Sequence, residues 1–114
     1  MDTITAPWIA WSLLLLAGVL EVAWATLMKS SGGFTRHGLA ALCIALAWLS
    51  FFLLGFATRT LPIGTAYAIW TGIGAVGVAA CGILWFGERA DPARLSCIAL
   101  IVAGIVGLKW LAPR

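Results

Sequence analysis

Apolar residues fall into four long runs that short polar segments separate. The runs cover residues 8–28, 39–57, about 63–86 and about 93–112. A helix rises about 1.5 Å per residue, so about 20 residues cross a hydrocarbon core of roughly 30 Å. The pattern therefore predicts an all-α membrane protein with four transmembrane helices per chain, which form a single domain over residues 1–114.

The polar segments between the runs carry signals that end and begin helices. The sequence Ser-Ser-Gly-Gly at 30–33 breaks the first helix, and Pro62 follows a tight second loop. Asp91 is placed to cap the fourth helix, with Pro92 at its first position. Connections this short leave no room for a soluble domain.

Composition excludes several classes of protein. The chain is 63% hydrophobic and only 10% charged, and a soluble domain of 114 residues could not bury that much apolar surface. Its net charge of +3 comes from basic residues that lie singly at the span ends, which suits lipid headgroups rather than a nucleic acid. We expect a multi-pass protein of the inner (plasma) membrane.

No enzyme chemistry is indicated. The sequence has no nucleophile–base pair and no cluster with metal-ligand spacing, and its one histidine, His37, lies in a loop far from any buried acid. We therefore expect no catalytic residue, no metal and no cofactor.

A single carboxylate, that of Glu21, interrupts the first run about two-thirds of the way along it. A charge at that depth costs several kcal/mol, so an acid there is usually functional. Lys29 is too far away to neutralise it, since eight residues along a helix span about 12 Å. The structural alternative is a glutamate kept neutral and hydrogen-bonded between packed helices.

Other groups that can bind a cation recur at a similar depth. Trp24 lies three residues after Glu21 on the same helical face, and Gly18, one turn back, lets another helix approach that face. Ser50 is the one mid-span polar residue of the second run. The third run carries a polar-aromatic stripe at three- to four-residue spacing: Tyr67, Trp70, Thr71 and Gly74.

These residue types indicate cation binding. Glu21 supplies a negative charge, and each aromatic ring contributes about 0.5–2 kcal/mol to a desolvated cation. The rings are those of Trp24, Tyr67 and Trp70, and the hydroxyls of Tyr67 and Ser50 can donate to Glu21 and fix its rotamer. Because a low dielectric penalises the charged carboxylate, a proton and a cation would compete for it. That competition is the simplest design for proton-coupled antiport.

Basic residues are balanced between the two sides of the membrane, three against four. One side carries Arg59, Lys109 and Arg114, and the other carries Lys29, Arg36, Arg89 and Arg94. The positive-inside rule needs a bias, and a chain without one can insert in both directions. Since four packed helices fill their own centre, a substrate site needs a second copy, and we expect an antiparallel (dual-topology) homodimer with an inverted pair of chains.

Glycines mark two of the helices. Gly104 and Gly107 form a small-residue face on the fourth span, which we assign to dimer contact. Gly72 and Gly74 have two interpretations, either close helix packing or a flexible point that bends as access alternates.

Two motifs resemble the small multidrug resistance family. One is A-G-x-x-E-V-x-W-A-x-x-x-K-x-S-x-G-F-T-R at 17–36, and the other is L-P-I-G-T-A-Y-A-I-W-T-G-I-G-A at 61–75. The likeness covers nearly the whole chain. Trp24, G-F-T-R at 33–36, W-T-G-I-G-A at 70–75 and G-I-V-G-L-K at 104–109 resemble the guanidinium-exporting branch more than the branch that exports polyaromatic drugs.

The resemblance implies an antiparallel homodimer that exchanges protons for guanidinium. It implies that Glu21 binds proton and substrate alternately and that Phe51 forms part of a portal between spans. It also implies which side chains line the pocket: Trp24, Ser50, Tyr67 and Trp70. Two rivals remain, a broad exporter of quaternary ammonium drugs and a non-transporting membrane subunit that assembles with a larger partner.

Overall fold

The computed structural model describes residues 6–111, and over that range the chain forms four helices. They are α1 (Pro7–Ser30), α2 (His37–Ala57), α3 (Ile63–Trp85) and α4 (Pro92–Leu111). Each is long and apolar enough to cross a membrane, so the prediction of four membrane-spanning helices is confirmed. The predicted end of the fourth span at residue 112, and Arg114, lie outside the described residues.

Helix ends differ from the apolar runs by one or two residues. α2 begins at His37 rather than Leu39, because helical hydrogen bonding already starts where Ala40 N donates to Arg36 O at 2.8 Å. α1 likewise continues to Ser30. It ends there because three successive residues, 32–34, adopt positive φ. The polar residues at the start of α2 and the end of α1 are thus helical, although they lie outside the apolar runs.

The turn between α3 and α4 is held by local polar contacts. Arg94 N donates to Asp91 Oδ1 at 2.8 Å, so the predicted N-cap of α4 is confirmed. The guanidinium of Arg94 also pairs with the carboxylate of Glu88. Gly87 supplies the positive φ of 68° at which the chain reverses. These contacts fix the start of α4 beside the end of α3.

α1 has the most extensive helix contacts in the bundle. It packs closely against both α2 and α3; α3 contacts all three other helices, and the backbone of α4 approaches α3 alone. The buried core joins α1, α2 and α3 through nine residues: Ala10, Leu14, Ala17, Leu54, Ala57, Leu61, Ala66, Ile69 and Trp70. α4 contributes no buried residue. Glu21 therefore projects from a helix that packs against both α2 and α3.

Small residues set how closely the helices approach. A Cβ added at Gly18 would lie 2.7 Å from Ile73 Cγ2, so α3 packs directly on the α1 backbone there. A Cβ at Gly72 would lie 2.8 Å from the Ile105 side chain of α4. Gly72 therefore serves the contact between α3 and α4, not the face that α3 turns toward Glu21.

Candidate functional site

The Glu21 carboxylate lies in the contact between α1 and α3. It packs against Gly74, where an added Cβ would overlap both the carboxylate carbon and its oxygens. The residue is half-buried, and Oε1 is fully buried without a hydrogen-bond partner in the described part of the chain. The two ion pairs found among residues 6–111 join other residues. A carboxylate thus lies at membrane depth with one oxygen uncompensated.

The other described acids are placed differently. Glu88 and Asp91 both lie in the turn between α3 and α4, paired with Arg94 and Arg89 respectively. Glu21 is consequently the one acidic residue within the four helices as the structure describes them. Any cation that enters the membrane-spanning part of this chain meets a single anionic group.

Trp24 adds an unpaired donor on the same face of α1. It lies one turn beyond Glu21, and its indole Nε1 is buried without a partner in the described residues. A buried polar group left unpaired costs about 1–3 kcal/mol, so native proteins rarely retain one without a use. One face of α1 therefore presents an acceptor and a donor that the protomer itself does not satisfy.

A row of aromatic rings runs from α1 across α2 to α3. The rings of Trp24 and Phe51 lie 6.2 Å apart, edge to face. Phe51 and Trp70 are separated by 5.5 Å, and so are Trp70 and Tyr67. Phe51 and Tyr67 remain about half exposed, whereas Trp70 is buried. The structure thus joins three of the predicted aromatic residues through Phe51, which presents an open ring to the outside of the protomer.

Ser50 has a different partner from the one predicted. Its buried hydroxyl donates to the Ala17 carbonyl at 2.7 Å and accepts the indole N–H of Trp70 at 3.0 Å. A hydroxyl has one proton to donate, so Ser50 does not donate to Glu21 in this arrangement. Nor does Tyr67 donate to Glu21 Oε1, which has no partner. The expectation that these two hydroxyls fix the Glu21 rotamer is therefore wrong for the protomer.

Three further candidates, Thr71, Gly104 and Gly107, form no hydrogen bond with Glu21 in the part of the chain that the structure describes. The Thr71 hydroxyl donates back to its own helix, at Tyr67 O and Ala68 O, and is not brought to Glu21. Gly104 and Gly107 have no atom within 4 Å of an added Cβ, so their face of α4 is open in the protomer.

Sequence reasoning missed a second bond between α1 and α2. The Cys43 thiol donates to the Trp24 carbonyl at 3.0 Å. Cys43 and Ser50 are seven residues apart on α2, and so are their acceptors Trp24 and Ala17 on α1. Small polar residues at a spacing of two turns were the available signal. The two bonds fix the register of the antiparallel pair α1–α2, and with it the height of Trp24 beside Phe51.

Comparison with known proteins identifies relatives over nearly the full length. The sequence model described as Small Multidrug Resistance protein matches residues 9–101. A guanidinium exporter of Citrobacter freundii is 57% identical over 100 residues, which cover 88% of this chain and 95% of the relative. A guanidinium exporter of Salmonella typhimurium strain LT2 is 55% identical over 103 residues, 90% of this chain and 98% of the relative.

A more distant relative agrees with these. The guanidinium exporter of Escherichia coli strain K12 is 50% identical over 100 residues, 88% of this chain and 95% of the relative. The family model covers most of the chain, and the four helices form a multi-pass membrane protein. The chain belongs to the small multidrug resistance family.

Proposed function

We propose that this protein exports guanidinium and similar small cations across the inner (plasma) membrane in exchange for protons. The observation that carries the proposal is the buried, unpaired Oε1 of Glu21, the one acid within the described helices. The names of the relatives, guanidinium exporters at 50–57% identity, support the choice of substrate.

The chemistry of guanidinium suits the groups around Glu21. The ion is planar, carries only N–H donors, and can bind a carboxylate through two parallel hydrogen bonds. Its face can stack on an aromatic ring, for which the Trp24 indole on α1 and the Trp70 indole on α3 are candidates. Glu21 would accept the N–H bonds and the indoles would border the ion.

Exchange for protons follows because a proton and a cation compete for the same carboxylate, that of Glu21. A carboxylate surrounded by apolar groups is far more stable when it binds either a proton or a cation than when it binds neither. After each release of guanidinium, Glu21 would therefore be protonated while the site switches its access back to the inner side of the membrane. Protonation from outside would displace the cation, and a cation from inside would displace the proton.

The working unit in this proposal is an antiparallel homodimer. Its support is the balance of basic residues between the two membrane sides and the open face of α4 around Gly104 and Gly107. The half-exposed rings of Phe51 and Tyr67 would complete a chamber with the second copy. The bending alternative for Gly74 is not needed, because the residue is already required to make room for the Glu21 carboxylate.

The test follows both the current and the internal pH of liposomes, because exchange of one proton for one guanidinium moves no net charge. Purified protein in liposomes is challenged with guanidinium and then with a bulky aromatic quaternary ammonium, and the currents are compared for wild type and Glu21→Gln. The matched control is Glu88→Gln, which removes the same charge from the α3–α4 turn, outside the membrane core. We expect guanidinium-driven proton movement, with or without a net current, that Glu21→Gln abolishes and Glu88→Gln retains.

Other outcomes favour the rivals. A large current for the bulky cation would indicate a broad quaternary ammonium exporter. Neither a current nor a change of internal pH with either cation, from folded protein, would indicate a non-transporting subunit and contradict the proposal.

A further inference from the structure

A long apolar groove lies between α1 and α4, beside the contact of α1 with α3 that holds Glu21. It comprises two cavities of about 570 Å³ and 270 Å³, and Ile105 lines both. α3 forms its floor, and the backbones of α1 and α4 do not approach each other in the described range. Val19 and Ala23 line the larger cavity. Each is two residues from Glu21, about 200° around the helix, whereas Val22 also lines the cavity and is only about 100° away.

The groove is apolar along nearly its whole length. The one hydroxyl in its wall, that of Thr26, donates back to its own helix at Ala23 O. From Trp11 to Thr26 the lining of α1 extends over 15 positions, about 22 Å of helix. One leaflet of a bilayer core is about 15 Å deep. The groove is therefore long enough for an acyl chain that enters from one membrane surface.

A single charged group, that of Lys109, lines the groove, and it lies at one end. Its ammonium lies 4.2 Å from the centroid of the Trp11 ring, and Trp110 lines the same cavity. Lys109 is in the last turn of α4, is exposed, and forms no ion pair with a carboxylate in the described residues. A lysine flanked by two tryptophans is typical of the level of lipid headgroups.

We propose that this groove is a binding site for an anionic phospholipid. One acyl chain lies along α1, α3 and α4, and the headgroup phosphate pairs with Lys109. An acyl chain that fills the groove makes van der Waals contacts with its walls, which would be lost if the groove were left empty. The charge of Lys109 selects the anionic headgroup. The site is separate from that of the transported cation, because Glu21, Trp24 and Trp70 line neither cavity.

The experiment is native mass spectrometry of the purified protein with an equimolar mixture of dioleoylphosphatidylglycerol and dioleoylphosphatidylcholine. We expect wild type to retain the anionic lipid roughly fivefold over the zwitterionic one. Lys109→Gln should remove that preference, and Lys109→Arg should restore it. The control is Lys29→Gln, because Lys29 is also exposed but lies outside the groove, at the end of α1.

A second variant tests the groove itself. Val106 lines the smaller cavity and is 51% exposed, so Val106→Trp fills the groove without entering the core. It should lower retention of both lipids while Lys109 is unchanged. The proposal is overturned if wild type shows no preference, if Lys109→Gln behaves like Lys29→Gln, or if Val106→Trp leaves retention unaltered. A loss of dimer mass with unaltered lipid retention would instead make the groove an interface between copies.

Discussion

The Ser50 hydroxyl of α2 donates to the Ala17 carbonyl of α1 at 2.7 Å. The same oxygen accepts the indole N–H of Trp70 from α3 at 3.0 Å. One buried hydroxyl therefore links three helices, one turn of α1 before Glu21. The bond also fixes the Trp70 indole, whose ring contacts Phe51 and Tyr67.

Ser50→Ala should destabilise the protein by about 1–2 kcal/mol, because it leaves the Trp70 indole N–H buried and unpaired. Thermal unfolding in detergent measures the loss. Ser12→Ala is the matched control, since the Ser12 hydroxyl is exposed and donates only to its own helix at Trp8 O. Equal effects of the two changes would contradict the bridging role.

Gly74→Ala should impair guanidinium transport by about tenfold or more. The new methyl group would overlap the Glu21 carboxylate, and overpacking of this kind costs about 1–3 kcal/mol. Gly55→Ala is the control, because an added Cβ there meets no atom within 4 Å. Currents are compared at equal amounts of folded protein, and unchanged transport in Gly74→Ala would show that the carboxylate lies elsewhere in the working dimer.

Trp24→Ala should shift selectivity toward larger cations. The change removes a ring face worth about 0.5–2 kcal/mol to a bound cation and opens space beside Phe51. We expect a weaker guanidinium current and a stronger one for a bulky aromatic quaternary ammonium. Trp48→Ala is the control, since Trp48 lies on α2 and is 71% exposed. The prediction fails if the ratio of the two currents is the same in both variants.

Dual topology predicts that each end of the chain is found on both sides of the membrane. A cysteine placed after residue 114, in a variant that lacks the three native cysteines, should react with an impermeant reagent to about half in intact cells. The remainder should react after the membrane is opened. Complete labelling, or none, in intact cells would exclude the antiparallel homodimer.

The sequence predicted the number of helices and the position of Glu21 within the first of them, because both depend on hydropathy along one chain. It also predicted the Asp91 cap, which involves a residue only three positions away. Interactions between residues a few positions apart depend on their spacing along the chain, which a single sequence shows directly.

It did not predict which groups meet across helices. Ser50 was expected to donate to Glu21. It donates instead to the backbone carbonyl of Ala17, which lies one turn before Glu21 on α1. The periodicity of a helix gives its faces but not the rotation and height at which it meets another helix. The contact of Gly74 with Glu21 and the groove beside Lys109 depend on those two quantities, so the sequence pattern could not reveal them.

The absence of buried residues in α4 has an evolutionary consequence. Exchange among leucine, isoleucine and valine on a helix face that touches only lipid leaves the fold almost unaffected, since lipid tails are as apolar as those side chains. Such positions are free to drift between related chains. Apart from those of the proposed phospholipid site, positions of α4 that resist drift therefore record contact with protein, so a duplicated gene could acquire a new pairing preference by changes in this one helix.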